Sequence, residues 1–148
     1  MKAPTEAQLT TVLKAAGAGL AISVALLLAL TLTRGGPFYA IPGVALSGTL
    51  IEDPVTDWSF VTDQNLDLET RPDDPYSVEL NYVVRNGELF IDPAEGRAWF
   101  DHIRVDPRVR VRFGDQIYPL QAVLVGRPGE LEGFPADRFV YRLHPRSE

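Results

Sequence analysis

The sequence predicts a mainly β protein, a small β-barrel with one short helix, preceded by a single transmembrane helix. The transmembrane helix is predicted from 19 consecutive uncharged residues, Ala15–Thr33. The β-domain is predicted because residues 35–148 hold 10 Gly and 11 Pro and repeatedly alternate apolar with polar side chains. We therefore divide the chain into a tail and transmembrane helix (1–34), a juxtamembrane linker rich in Gly and Pro (35–48) and the β-domain (49–148).

The uncharged segment is long enough to cross a membrane. At about 1.5 Å per residue, a helix of this length nearly matches the ~30 Å hydrocarbon core of a bilayer. A cleaved signal peptide is the alternative, but its apolar region is only about 7–15 residues long and ends in small residues. Here the run ends in Thr31, Leu32, Thr33 and Arg34. The sequence therefore favours a retained signal anchor that crosses the cell membrane once.

The charges that flank this segment predict its orientation. Lys2 and Lys14 precede it, whereas Arg34 follows it and the next charged residues are acidic. Because Lys and Arg accumulate on the cytoplasmic side of a membrane, we expect a cytoplasmic N-terminus and an extracytoplasmic β-domain. Phe38 and Tyr39, just beyond the segment, are typical of an interfacial aromatic anchor. Membrane lipid is therefore the first expected partner.

Composition excludes several classes of function. The chain has a net charge of −6, and residues 35–148 alone carry −8, which argues against a nucleic-acid partner because such a partner requires a basic surface. The chain has no cysteine. Disulfides, thiolate metal sites and cysteine nucleophiles are therefore excluded.

Neither a metal site nor a catalytic residue is predicted. Asp63, Asn65 and Asp67 imitate the start of a calcium-binding EF-hand loop, but Leu68 stands where that loop requires glycine. His102 has no recognisable nucleophile motif beside it, so the sequence offers no case for a hydrolase.

Alternation and turn residues place the strands. The predicted strands are Asn65–Thr70, Ser77–Val84, Glu88–Asp92, Arg108–Phe113, Gln116–Val125 and Arg138–His144. Asn86-Gly87 and Gly114-Asp115 are the predicted hairpin turns, the first because both of its residues must accept positive φ. The side chains expected to face the core in the second and last strands are Val78, Leu80, Tyr82, Val84, Phe139, Tyr141 and Leu143.

One helix is predicted among the strands, from about Ala94 to Val105, and Pro107 ends it. Its expected inward face, at helical spacing, consists of Trp99, His102 or Ile103, and Val105.

The order of elements resembles the split β-barrel superfamily, which includes pyridoxamine-phosphate oxidase-like flavoproteins and deazaflavin-dependent nitroreductases. The similarity extends over residues 57–125, about 70 of the 148. The segments that carry it are Asn81–Ile91 (NYVVRNGELFI), Gly96–Ile103 (GRAWFDHI), Asp106–Val111 (DPRVRV) and Tyr118–Val123 (YPLQAV). The resemblance implies a split barrel, a homodimer, and a bound FMN or deazaflavin whose ring transfers hydride.

If the barrel holds such a cofactor, the residues expected around it are Arg71, Asn81, Arg97, Trp99, Arg108 and Arg110. The arginines would hold its phosphate, because guanidinium groups suit that anion. The alternatives are structural: Trp99 would be a core anchor, and Arg108, Arg110 and Arg112 would form a solvated strand face. These arginines could also pair across the sheet with the acidic row Asp63, Asn65, Asp67 and Glu69, at about 0–1 kcal/mol per exposed pair.

Two functions follow. Residues 62–75 hold five acidic side chains and one basic side chain, Arg71. In the deazaflavin-dependent members of the family that this chain resembles, the equivalent segment is a basic, glycine-rich turn that holds the cofactor phosphate. Because acidic side chains repel a phosphate, the sequence favours a membrane-anchored, non-catalytic binding or assembly module, with a homodimer or a membrane protein as its partner. The alternative is a flavin- or deazaflavin-dependent oxidoreductase of the split-barrel family.

Overall fold

The structure is a computed structural model, and it describes residues 6–33, 36–38 and 40–146. The chain divides into two compact units between residues 34 and 35. Lys2, Arg34 and Tyr39, on which part of the orientation argument depends, lie outside the described residues.

The first unit is the helix α1, Glu6–Thr33. Its segment Val12–Ala29 has a mean hydropathy of 2.1 and is entirely exposed. At about 1.5 Å per residue the helix is roughly 40 Å long. It is thus long and apolar enough to cross a bilayer, as the sequence predicts.

The second unit is an antiparallel sheet curled into a half-barrel. Its elements are β1 (Thr49–Leu50), β2 (Leu66–Thr70), β3 (Tyr76–Leu80), β4 (Val83–Arg85), β5 (Glu88–Ile91), α2 (Ala98–Val105), β6 (Arg108–Phe113), β7 (Gln116–Gly126) and β8 (Val140–Pro145). The strand order is β3-β2-β6-β7-β8-β5-β4, and β1 adds to β7 as a short parallel strand. The prediction of a mainly β fold with one short helix after an apolar helix is confirmed.

The two predicted hairpin turns are also confirmed. Arg85 pairs with Glu88 across Asn86 (φ 53°) and Gly87 (φ 80°), the left-handed pair that a two-residue turn requires. Phe113 pairs with Gln116, which joins β6 to β7 around Gly114-Asp115.

The single predicted strand Ser77–Val84 is wrong, because the chain breaks there into β3 and β4. β3 pairs with β2 at one end of the sheet, and β4 pairs with β5 at the other. The two ends of the half-barrel are therefore joined covalently through Asn81-Tyr82. The inward set was predicted correctly, since Val78, Leu80, Tyr82 and Val84 all pack against the core.

The predicted helix is too long and its inward face is partly wrong. α2 begins at Ala98, after Gly96 takes a φ of 78°, which interrupts a right-handed helix. Phe100 and Ile103, three residues apart, are its buried side chains. Val105 is 88% exposed, because a residue two positions beyond Ile103 points away from the core.

The core lies inside the curl. Trp58 is buried at its centre and meets Tyr118 edge-to-face at 5.0 Å, while its backbone N–H donates to the Gly87 carbonyl at 2.8 Å. The loop before β2 is thereby fixed to the β4–β5 hairpin. Trp99 packs half-buried at the edge of the same cluster.

Candidate functional site

The three arginines of β6 lie beside acidic side chains of the same chain. The register of β2 and β6 places Glu69 opposite Arg110 and Asp67 opposite Arg112. Arg110 Nε donates to Glu69 Oε1 at 2.6 Å, and Arg112 binds Asp67 Oδ2 through Nη2 at 2.6 Å and Nε at 3.0 Å. The suggested cross-sheet pairing is therefore present for these two pairs.

The prediction that such pairs would be solvent-exposed is wrong. The Glu69 side chain is 1% exposed, and the side chains of Asp67 and Arg112 are 19% and 13% exposed. The cause is the chain around Leu46 and Ser47, which covers this face of the sheet instead of leaving it in solvent. The Leu46 N–H donates to Glu69 Oε2 at 2.6 Å, and Arg112 Nη1 donates to the Ser47 carbonyl at 2.9 Å.

Arg108 is paired differently, at the exposed end of β6. Its Nη2 lies 2.7 Å from Asp106 Oδ2 and 2.9 Å from Asp73 Oδ2. The hydrogen bond from Arg108 holds the pKa of the Asp106 carboxyl below its usual range. Arg146 lies nearby and donates to the carbonyls of Leu120 and Val109, and burial lowers its pKa.

A cleft of about 530 Å³ lies elsewhere, between β3 and the start of α2. Three of the predicted residues line it together: Asn81, Arg97 and Trp99. Within the described part of the chain, Arg97 has no ion-pair or hydrogen-bond partner for its side chain. The first turn of α2 begins at this wall, and its N-cap has no side-chain hydrogen bond.

The cleft also contains charged residues that the sequence did not single out. Glu79 accepts a hydrogen bond from Asn65 Nδ2 at 2.7 Å, and Arg138 Nη1 donates to the Asp92 carbonyl at 3.2 Å. Acidic and basic side chains are thus mixed in the lining. No sequence pattern marks Arg138 or Asp92, because 46 residues separate them.

Arg71 lies beside the cleft without lining it. It sits at φ 53°, forms an ion pair with Asp74 at 3.2 Å, and stacks 5.8 Å from the centre of the Tyr76 ring, which does line the cleft. His102 packs edge-on against the same ring, and a hydrogen bond of 3.0 Å joins its Nδ1 to Thr70 Oγ1. Burial, and then the charge of Arg71, lower the pKa of His102.

The structure therefore separates the six predicted cofactor residues into groups. Asn81, Arg97 and Trp99 share the cleft, and Arg71 adjoins it through Tyr76. Arg108 and Arg110, both on β6, do not line this cleft: Arg108 binds the carboxylates of Asp73 and Asp106, and Arg110 binds that of Glu69. Among the described residues, no group of three or more acidic or histidine side chains is arranged to hold a metal ion.

These features define a class of structure: an apolar helix joined to a curled antiparallel half-barrel with a polar cleft at its open side. Comparison of the sequence with protein-family models and with curated proteins finds no match.

Solved structures that match include a pyridoxamine 5′-phosphate oxidase-like protein from Listeria innocua, at 14% identity and a TM-score of 0.46, over 57% of this chain and 86% of that one. An F420 reductase matches at 17% identity and a TM-score of 0.40, over 57% of this chain and 87% of that one. At these identities the similarity is one of fold alone.

Proposed function

We propose that this protein is a membrane-anchored β-domain that acts as a non-catalytic binding or assembly module. α1 is the anchor, and the half-barrel lies on the extracytoplasmic side of the membrane. The module acts through contacts with a second copy or with a membrane protein, and it needs no bound ring cofactor.

The observation that carries this proposal is the pairing of the β6 arginines. Arg108, Arg110 and Arg112 each bind a carboxylate of the same chain. A phosphate would have to displace Glu69, which is buried and also binds the Leu46 backbone. Breaking a buried pair by removing one partner costs about 3–5 kcal/mol. This basic row is therefore better suited to holding the sheet together than to holding a cofactor.

The alternative function is a flavin- or deazaflavin-dependent oxidoreductase, and one observation favours it. The cleft brings together Asn81, Trp99 and Arg97, whose side chain has no partner among the described residues, in a volume of about 530 Å³, a size typical of small-molecule sites. In this alternative Arg97 holds the anionic group of the cofactor, and Trp99 packs beside its ring.

A spectrum separates the two functions. We expect the full-length protein, purified from its own host's membranes, to be colourless and to take up neither added FMN nor added deazaflavin. A bound or acquired chromophore would favour the oxidoreductase. In that case Arg97→Ala should weaken cofactor affinity at least about tenfold, whereas Arg127→Ala, which removes another exposed arginine, outside the cleft, should not.

The assembly role and the topology have their own tests. Extraction in mild detergent should recover a homodimer or a complex with a membrane protein, and a strictly monomeric protein without a partner would contradict the assembly role.

A reporter enzyme that is active only outside the cytoplasm, fused after the last residue, should be active. An inactive fusion would reverse the proposed orientation.

A further inference from the structure

Two apolar side chains are exposed on a tight turn at the start of the second unit. Phe38 and Ile41 are 43% and 60% exposed. Each donates its backbone N–H to the carbonyl of the other at 3.0 Å, so the two face each other across an antiparallel bridge. Bridge partners project to the same face of a hairpin. We call Phe38, Ala40 and Ile41 the apolar hairpin.

The apolar hairpin is fixed to the sheet by the residues that follow it. Gly43 exchanges both backbone hydrogen bonds with Ser77 of β3, at 2.9 and 3.0 Å. The buried Ser77 hydroxyl donates to the Val44 carbonyl at 2.6 Å, and the Leu46 N–H binds the buried Glu69. The fold therefore fixes Phe38 and Ile41 at the surface, where two adjacent apolar side chains suit contact with a hydrophobic partner.

The covalent chain indicates which partner. Only five residue steps separate Thr33, the last residue of α1, from Phe38, and five steps span at most about 17 Å. The polar headgroup layer on each side of a bilayer is several ångströms thick. A helix that spans the membrane therefore keeps the apolar hairpin within reach of the boundary between headgroups and acyl chains.

We propose that the apolar hairpin inserts into this boundary and forms a second contact between the protein and the bilayer. The proposal rests on α1 being a membrane anchor. Insertion is driven by the apolar side chains and not by charge, because residues 35–148 carry a net −8 and are repelled by anionic lipid. Ala40, within the hairpin, also lines the cleft, so insertion holds the rim of the cleft near the bilayer.

The absence of cysteine allows a direct test. Single-cysteine variants of the full chain carry an environment-sensitive fluorophore and are reconstituted into phosphatidylcholine vesicles with a quencher on the lipid acyl chains. Ile41→Cys is the test position. Leu26→Cys, within α1, is the positive control, and Val105→Cys, the most exposed apolar position of the half-barrel, is the negative control.

We expect quenching at position 41 to exceed that at position 105 by about twofold or more, and to be unchanged when anionic lipid is added. Phe38→Ser should reduce the quenching at position 41, whereas Phe60→Ser, at another exposed phenylalanine, should not. If quenching at positions 41 and 105 is equal while position 26 is quenched, the result supports α1 as a membrane anchor and overturns the hairpin proposal. If position 26 is not quenched either, the membrane anchor fails and the hairpin proposal fails with it.

Discussion

Glu69 is the buried charged residue that joins two strands of the sheet to the chain around Leu46. It is 1% exposed and binds Arg110 and the Leu46 N–H. A single carboxylate thus joins β2, β6 and the segment that covers them. Removing its charge leaves Arg110 without its counter-ion in a partly buried position, which is far more costly than the loss of a surface pair.

We expect Glu69→Gln to lower the free energy of unfolding by about 2–4 kcal/mol. Urea unfolding of the detergent-solubilised protein, followed by tryptophan fluorescence, measures this change. Glu88→Gln is the matched control, because its ion pair with Arg142 is at the surface and should cost less than about 1 kcal/mol. Equal effects of the two substitutions would show that burial of Glu69 does not matter.

His102 gives a prediction about pH. Its pKa is lowered in the folded protein, by burial first and then by Arg71, so the unfolded chain binds the proton more readily. Stability should therefore fall as the pH drops below about 6.5, the ordinary pKa of histidine, towards the lowered value. Unfolding midpoints at pH 7.5, 6.5 and 5.5 measure this fall. His102→Gln should make the dependence shallower, and an unchanged slope would assign the effect to other groups.

At the scale of elements, the β4–β5 hairpin illustrates how a local signal fixes the register of two strands. Asn86 and Gly87 both take positive φ, and this turn sets Arg85 opposite Glu88. A Cβ on Gly87 would also lie 2.9 Å from the Asp57 carboxylate. A side chain at position 87 is therefore disfavoured, by the positive φ first and by the nearby Asp57 carboxylate second.

We expect Gly87→Ala to destabilise the protein by about 1–2 kcal/mol, because an alanine is strained at this left-handed φ and its Cβ would approach the Asp57 carboxylate. Asn86→Gly is the control, since glycine adopts the same φ freely, and it should change stability by less than about 1 kcal/mol. Thermal unfolding of the two variants, compared with the unsubstituted protein, tests the difference. A Gly87→Ala protein as stable as the control would contradict the role of the turn.

At the scale of the whole molecule, the two units differ in how they are stabilised. The half-barrel buries its own core, whereas the segment Val12–Ala29 of α1 buries nothing within the described structure. Apolar side chains exposed along such a length require a hydrophobic environment outside the chain. A bilayer supplies it in the proposed arrangement.

Leu26→Arg, within the apolar part of α1, should therefore reduce the fraction of protein that resists alkaline extraction from membranes. A charged residue at the centre of a spanning helix costs about 2.5–3.5 kcal/mol of insertion free energy. Val105→Arg adds the same charge on the exposed surface of α2 and should leave extraction unchanged. Equal extraction of both variants would contradict the anchoring role of α1.

Several parts of the fold could be predicted because their causes are local. The Asn86-Gly87 turn, the Gly114-Asp115 turn and the alternation in β2 depend on neighbours a few residues away. The break between β3 and β4 could not be predicted, because alternation continues through Asn81-Tyr82 even though the strands pair at opposite ends of the sheet. The cleft is likewise formed by segments distant in sequence, β3, the start of α2 and Arg138.

The sequence by itself determined the mainly β class, the apolar helix that precedes it, the two tight turns and the alternating arginines of β6, since each follows from residue type and short-range spacing. Only the tertiary structure decided what those arginines do. Glu69 and Arg110 are 41 residues apart, and their pairing depends on strand register and on the chain around Leu46, whose N–H binds the buried Glu69. The physical reason is that desolvation, which distinguishes a structural ion pair from a free anion-binding group, is a property of packing and not of sequence.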